Sequence, residues 1–228
     1  SCTNMFKKKF MFIFLTAVFV LVTVAAKQIV SHNTALVFMP LSSFTVAIDA
    51  GHGGWDPGKT AANGLNEKDI NLDIAQKTAD FLEEAGADVY ITRTSDSALG
   101  ESKRSDMKKR IDIIEDSQAD IMISIHQNAF TSGSAKGAQV FYYKNSEEGK
   151  RLAEDIQQAL CDSLGSTRSA KSNSDYYVLR TTTIPSAIVE CGFLSNSDEE
   201  TKLNTADYQQ KTAWAIYKGI SDYFNAEK

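Results

Sequence analysis

The stretch Thr45-Val46-Ala47-Ile48-Asp49-Ala50-Gly51-His52-Gly53-Gly54 decides how this chain is read. Residues 45–49 have the length and apolar character of a short buried strand, and Gly51 ends it. Glycines on both sides of His52 let the backbone turn sharply and leave room for a ligand to approach the imidazole. A strand therefore delivers a polar side chain straight into a turn.

Downstream, strand and helix patterns alternate. Ile70, Ile74, Thr78, Phe81 and Leu82 mark one face of a helix over residues 66–85, with Asn66 as its cap, Asp69 three residues on, and Gly86 as its stop. Residues 88–92 read as a second strand, Met107, Ile111 and Ile114 as a second helix, and residues 121–125 as a buried, β-branched strand. Residues 137–143 give another strand, and Leu152, Ile156, Leu160 and Leu164 a third helix closed by Gly165. Residues 177–179 and 187–190 are expected to be strands. Ser197 with Glu200 reads as a capping box, and Tyr208, Thr212, Ile216, Ile220 and Phe224 trace a last helix. This alternation predicts an α/β fold: a single domain with a mainly parallel or mixed sheet flanked by helices. In such folds ligands bind at the carboxyl ends of the strands.

The 228 residues suffice for one such domain plus an accessory segment, and 43% hydrophobic with 23% charged residues is ordinary for a folded protein. A formal net charge of -5 argues against a nucleic-acid partner, which needs a basic face. Cys2, Cys161 and Cys191 form no C-x-x-C pair and no dense framework, so Cys161 and Cys191 read as buried free thiols. Residues 1–9 carry Lys7, Lys8 and Lys9, and the charge-free run 10–26 follows. As a helix that run is about 25 Å long, a membrane anchor or a signal sequence, with the uncleaved anchor preferred. The lysines orient the remainder outward, to an extracytoplasmic place in the envelope. Residues 27–43 read as a linker and 44–228 as the folded domain.

Four polar residues fall at strand ends or at a helix start: His52, His126 after residues 121–125, Glu67 opening the first helix, and Glu190 after Ile188-Val189. Two histidines and a carboxylate are the ligand set of a catalytic zinc with one position left for water, and a further carboxylate would act as base. Each also has a bland reading: a strand-end histidine is commonly structural, and a glutamate at a helix N-terminus is favourable with the dipole. Glu190 is harder to dismiss, because a carboxylate in an apolar strand needs a partner. Spacing alone leaves both readings open. The H-E-x-x-H pattern of one metalloprotease class is absent.

Four segments carry a further resemblance: Ile48-Asp49-Ala50-Gly51-His52-Gly53-Gly54, Asn66-Glu67-Lys68-Asp69, Ser124-Ile125-His126-Gln127-Asn128-Ala129 and Val189-Glu190-Cys191-Gly192-Phe193-Leu194-Ser195-Asn196. In this order they resemble the zinc-dependent N-acetylmuramoyl-L-alanine amidases of the third amidase family. The resemblance spans residues 45–224, with Ala50 where proline is frequent and Cys191 where a small or β-branched residue is usual. It implies that His52, Glu67 and His126 hold Zn²⁺, that Glu190 is the catalytic carboxylate, and that the substrate is peptidoglycan or cortex glycan. The short domain behind one apolar segment resembles the spore-associated branch, whose members help make muramic lactam in cortex. Asn128 is a candidate for positioning substrate, and Arg93 and Arg180 for meeting stem-peptide carboxylates. Rival readings are a zinc-binding wall-adhesion module, a carboxypeptidase acting on stem-peptide ends, and a purely structural anchored domain. No protein partner is identified from sequence.

Overall fold

Val, Ile and Ala dominate the strand segments, and in a strand successive side chains alternate between faces. In the computed structural model of the chain, which describes residues 40–226, that alternation builds a sheet whose central strands are buried on both sides. The strands are β1 (Thr45–Ala50), β2 (Asp88–Ile91), β3 (Ile121–Asn128), β4 (Gln139–Tyr143), β5 (Lys171–Asn173) and β6 (Ser186–Phe193). The helices are α1 (Glu67–Glu84), α2 (Lys103–Asp116), α3 (Glu147–Leu164), α4 (Tyr177–Thr181), α5 (Ser197–Leu203) and α6 (Ala206–Asn225). The run 10–26 and residues 27–39 of the linker lie outside the described residues. Within those described, no helix is long and apolar enough to cross a membrane.

The six-stranded sheet has the order β2-β1-β3-β6-β4-β5. β2, β1, β3 and β6 run parallel, and β4 joins β6 antiparallel with β5 parallel to β4. Val46, Ile48, Ala50, Ile121, Ile123, Ile125, Ala187 and Val189 face the layer of α1, α3 and α6. Ala47, Met122, Phe141 and Ile188 face the opposite side, where Ile111 and Ile114 of α2 and Val178 and Leu179 of α4 cover them. By the same parity, Asp49, Ser124, His126 and Glu190 belong to the α2–α4 side. The fold thus puts its polar strand-end residues on the thinly covered face.

Several expectations shift at the edges. Residues 177–179 are not a strand but the opening of helix α4. The Asn173 side chain accepts the amides of Asp175 and Tyr176 and turns the chain. Val178 and Leu179 then bury on the inner side of a single turn, while Tyr177 and Arg180 stay exposed. Asn66 stands at the N-cap position without a side-chain capping bond, because its Oδ1 accepts from the Thr60 hydroxyl. The cap of α5 is Asn196, accepting the amides of Asp198 and Glu199, so the expected Ser197–Glu200 box is displaced by one residue. Glu200 instead accepts from the Asn63 amide. Cys191 is fully buried, as expected, whereas Cys161 is only partly so. Gly165 ends α3 in the left-handed region at φ 69°.

The α3–α6 contact is the tightest in the helical layer. A Cβ at Gly219 of α6 would lie 2.4 Å from the Ile156 Cα and 2.8 Å from its amide nitrogen. Backbone cannot yield as a side-chain tip can, so Gly219→Val should separate the two helices and destabilise the domain by about 1–3 kcal/mol or more. Chemical denaturation of both proteins measures this, and equal midpoints would refute it.

Candidate active site

His52, Glu67 and His126 come from three elements and converge at the carboxyl end of the sheet. β1 and β3 run side by side with Ala50 opposite Ile125, so His52 and His126 emerge next to each other, ring centroids 5.0 Å apart. Glu67 enters from the first turn of α1. Its Oε1 lies 3.3 Å from His52 Nε2 and 3.0 Å from His126 Nδ1, and it accepts the Gln127 amide at 3.1 Å. Its Oε2 accepts the Lys59 amide at 2.8 Å. One ligand atom from each of the three residues falls within 4.8 Å of the others. Gly51 is required here for space, since a Cβ on it would lie 2.3 Å from the His126 ring.

The electrostatics favour a cation at this point. Burial works to raise the Glu67 carboxyl, but the His126 and His52 hydrogen bonds and charges outweigh it and hold it well below the usual carboxylate range. Burial likewise works to lower His52, and Glu67 and then Asp56 push it up to about 9. A carboxylate that so strongly demands positive charge, flanked by two imidazoles, is a donor set that fits a three-ligand zinc site with an open position. Asp56 Oδ2 lies 3.0 Å from His52 Nδ1 and fixes the ring, as outer carboxylates do for ligating histidines. Burial works to raise Asp56, while His52, the Gly58 amide and then the charge of Lys103 hold it below its usual value.

The loop carrying His52 is clamped from beneath. His52 itself has φ 63°, a left-handed conformation that costs a non-glycine residue energy and must be held by its surroundings. Arg110, only 2% exposed, donates to the carbonyls of Ala50 and His52 and pairs with Asp49 and Asp106. Ser124 and Thr92 complete the shell around Asp49. Arg93 donates to the carbonyls of Ala50, Gly51, Lys68 and Ser95.

Glu190 sits opposite His126 in the β3–β6 register and is only 7% exposed. Its Oε1 accepts from the Tyr176 hydroxyl at 3.3 Å, while the buried Oε2 has no hydrogen-bond partner among the described residues. Burial raises its carboxyl to about 7, His126 opposing and Glu67 adding to the shift. An unpaired buried carboxylate oxygen beside a metal-type cluster is placed to accept a proton from something that enters the site.

The other expected residues fare differently. Asn128 ends β3, half-buried, and its carbonyl accepts the Leu194 amide. Arg93 is 3% exposed with four of its N–H groups on backbone carbonyls, so it shapes the His52 loop and is not offered to a stem-peptide carboxylate. Arg180 is exposed on α4, its guanidinium 5.4 Å from the Tyr177 ring centroid. Sequence reasoning missed Asp56, Arg110 and Tyr176. The i, i+4 spacing of His52 and Asp56 was a usable signal; the other two become visible only through tertiary packing.

Residues 46–222 match the family described as N-acetylmuramoyl-L-alanine amidase, and the chain belongs to that family. It is 42% identical over 195 residues to the germination-specific N-acetylmuramoyl-L-alanine amidase of Bacillus subtilis (strain 168), covering 82% of each. It is 35% identical over 187 residues to the amidase LytC of the same organism, covering 81% of this chain and 36% of that one. Among solved structures, the CwlD amidase from Clostridioides difficile in complex with the GerS lipoprotein gives a TM-score of 0.78 at 39% identity, covering 81% of this chain and 100% of that chain. The N-acetylmuramoyl-L-alanine amidase from Clostridium difficile 630 gives 0.76 at 31%, covering 82% and 100%. The activity is accordingly hydrolysis of the amide that joins the muramic acid lactyl group to L-alanine in peptidoglycan.

The Asp49–Arg110 pair makes a pH-dependent contribution whose sign follows from its shift. Burial works to raise Asp49, but Arg110, His126 and the Ser124 hydroxyl bring it from 3.8 down to about 2. Its contribution is therefore full above the unfolded value and is lost as pH falls through the folded one. Arg110→Met should cost about 3–5 kcal/mol at neutral pH by leaving Asp49 buried and unpaired. Urea denaturation from pH 7 to pH 2 should find the gap between the two proteins narrowing in acid; a constant gap would refute the assignment.

Proposed function

We propose that this amidase works with a zinc ion held by His52, Glu67 and His126, and with Glu190 moving the proton. The observation that carries this reading is the convergence of the two imidazoles and the Glu67 carboxylate within 4.8 Å, with Glu190 beside His126 in the neighbouring strand. Bound there, zinc supplies Lewis-acid activation of water and of the scissile carbonyl. The protein's own residues do the rest. Asp56 fixes the His52 ring, and the Glu67 carboxylate is kept anionic by its donors. Glu190 takes a proton from the attacking water on its free Oε2 and returns it to the departing L-alanine nitrogen. Tyr176 steadies the other oxygen. Asn128, half-buried at the end of β3, is proposed to help seat the substrate, and Arg180 is the remaining arginine candidate for a stem carboxylate.

The place of action is the cell envelope, with spore cortex peptidoglycan as the substrate pool. The similarity to a germination-specific amidase supports the cortex reading. Residues 10–26 are proposed as membrane anchor or signal sequence, with 1–9 as its basic flank, 27–43 as linker, and 44–228 as the catalytic domain. Fractionation should find the full chain with membranes or outside the cytoplasm, and removal of residues 10–26 should leave it in the cytosol; an unchanged distribution would refute the role.

Zinc content measured beside release of stem peptides tests the site. His52→Ala, His126→Ala and Glu67→Ala should lose zinc and activity together. Glu190→Gln should keep zinc near the wild-type level and lose on the order of 10² to 10⁴ in rate. Normal cleavage by Glu190→Gln would sink the proton-transfer role, and full zinc in both histidine variants would sink the ligand set.

A further inference from the structure

A cavity of about 230 Å³ opens beside the two histidines, between α2 and α4, and Lys103 lines it together with His52, Asp56, His126 and Tyr176. The aspartates in its walls already have partners. Asp49 and Asp106 pair with Arg110, and Asp56 lies against His52. Lys103 differs, making no ion pair or hydrogen bond among the described residues. It is exposed, yet near enough for its charge to be felt at Asp56. Tyr177 forms part of this wall and also of an adjoining depression lined by Ser102, Arg104, Ser105 and Lys108. Of these cations, Lys108 is committed to Asp112, whereas Arg104 makes no ion pair or hydrogen bond among the described residues. A cation in the first turn of a helix works against the helix dipole, so capping gives no reason for its sign.

The geometry points to Lys103 as a carboxylate subsite that receives an acidic group of the peptide stem, the leaving half of the substrate. This rests on the amidase reading of the same cavity. The stem departs with its L-alanine nitrogen and carries carboxylates further along, so a cation in the cavity wall meets charge on the peptide side of the cut. The sequence pointed to Arg93 and Arg180 for this work. Arg93 is consumed by backbone carbonyls, and Arg180 does not line the cavity. Lys103 differs from both in being unpaired and in the wall.

The test is a cycle of protein and substrate variants. Wild type, Lys103→Ala, Lys103→Glu and Lys103→Arg, all zinc-loaded, are assayed on two soluble muramoyl-peptides, one with free stem carboxylates and one with them converted to carboxamides. Lys103→Ala should lower kcat/KM for the free acid about three- to tenfold, chiefly through KM, and leave the amide nearly unchanged. Lys103→Glu should fall further on the acid alone, Lys103→Arg should recover most of the loss, and added salt should shrink the wild-type preference. Zinc content and melting temperature should be unchanged across the set, because Lys103 is exposed and not a ligand. Equal losses on both peptides, or no loss on either, would overturn the subsite while leaving the amidase site standing. A wild-type protein that cleaves neither peptide would overturn both.

Discussion

Arg110 holds the structure together at the point where fold becomes site. It reaches from α2 to pair with Asp49 near the carboxyl end of β1, its Nε donates to Asp106 of its own helix, and its other donors end on the carbonyls of Ala50 and His52. A buried guanidinium is stable only when its donors and its charge are satisfied. Apart from Asp106, the groups that satisfy it are the ones that define the turn after β1. The strained backbone of His52 is thus fixed by the requirements of a buried charge, with Arg93 donating to the Ala50 and Gly51 carbonyls of the same turn. Helix α2, strand β1 and the first histidine cannot move independently.

Strand parity does the next part of the work. Side chains two residues apart share a face, so one alternation that buries Val46, Ile48 and Ala50 under α1, α3 and α6 leaves Asp49 on the other side. The β3–β6 register then sets His126 beside Glu190. Helices α2 and α4 cover this face only partly, which leaves a cavity over the strand ends. The polar cluster and the open space beside it therefore arise from one pattern.

The alternating elements and the mainly parallel sheet were legible because period-2 and period-3.6 patterns are strong in buried elements, whereas His52, Glu67, His126 and Glu190 were visible only as polar residues at element ends until the resemblance of four segments joined them into one site. Glycines also punctuate the chain where it turns. The misreadings fall where local and tertiary preferences compete. Residues 177–179 carry adjacent apolar residues that suit either a strand or one helical turn, and the Asn173 side chain decides for the helix. Three-residue β5, polar throughout, carried no hydrophobic period to detect. Arg93 read as a guanidinium free to meet a stem carboxylate, because the carbonyls that surround it are brought together only by the folded His52 turn. Nothing in the local sequence separates that arginine from an exposed one.

The two glutamates complete the physical account, for they are the same residue type at nearly the same exposure, 5% for Glu67 and 7% for Glu190. Burial alone would raise both carboxyls. Around Glu67 stand two imidazoles and the amides of Lys59 and Gln127, and these donors overwhelm the desolvation, so the group stays anionic. Glu190 has one tyrosine hydroxyl and an unpaired oxygen, so desolvation prevails and its carboxyl rises to about 7. A carboxylate fixed as an anion is suited to holding a cation, and one poised near neutrality is suited to taking and giving a proton. The number of donors each side chain meets is thus the physical support for the duties proposed for them, a cation ligand at Glu67 and a proton carrier at Glu190.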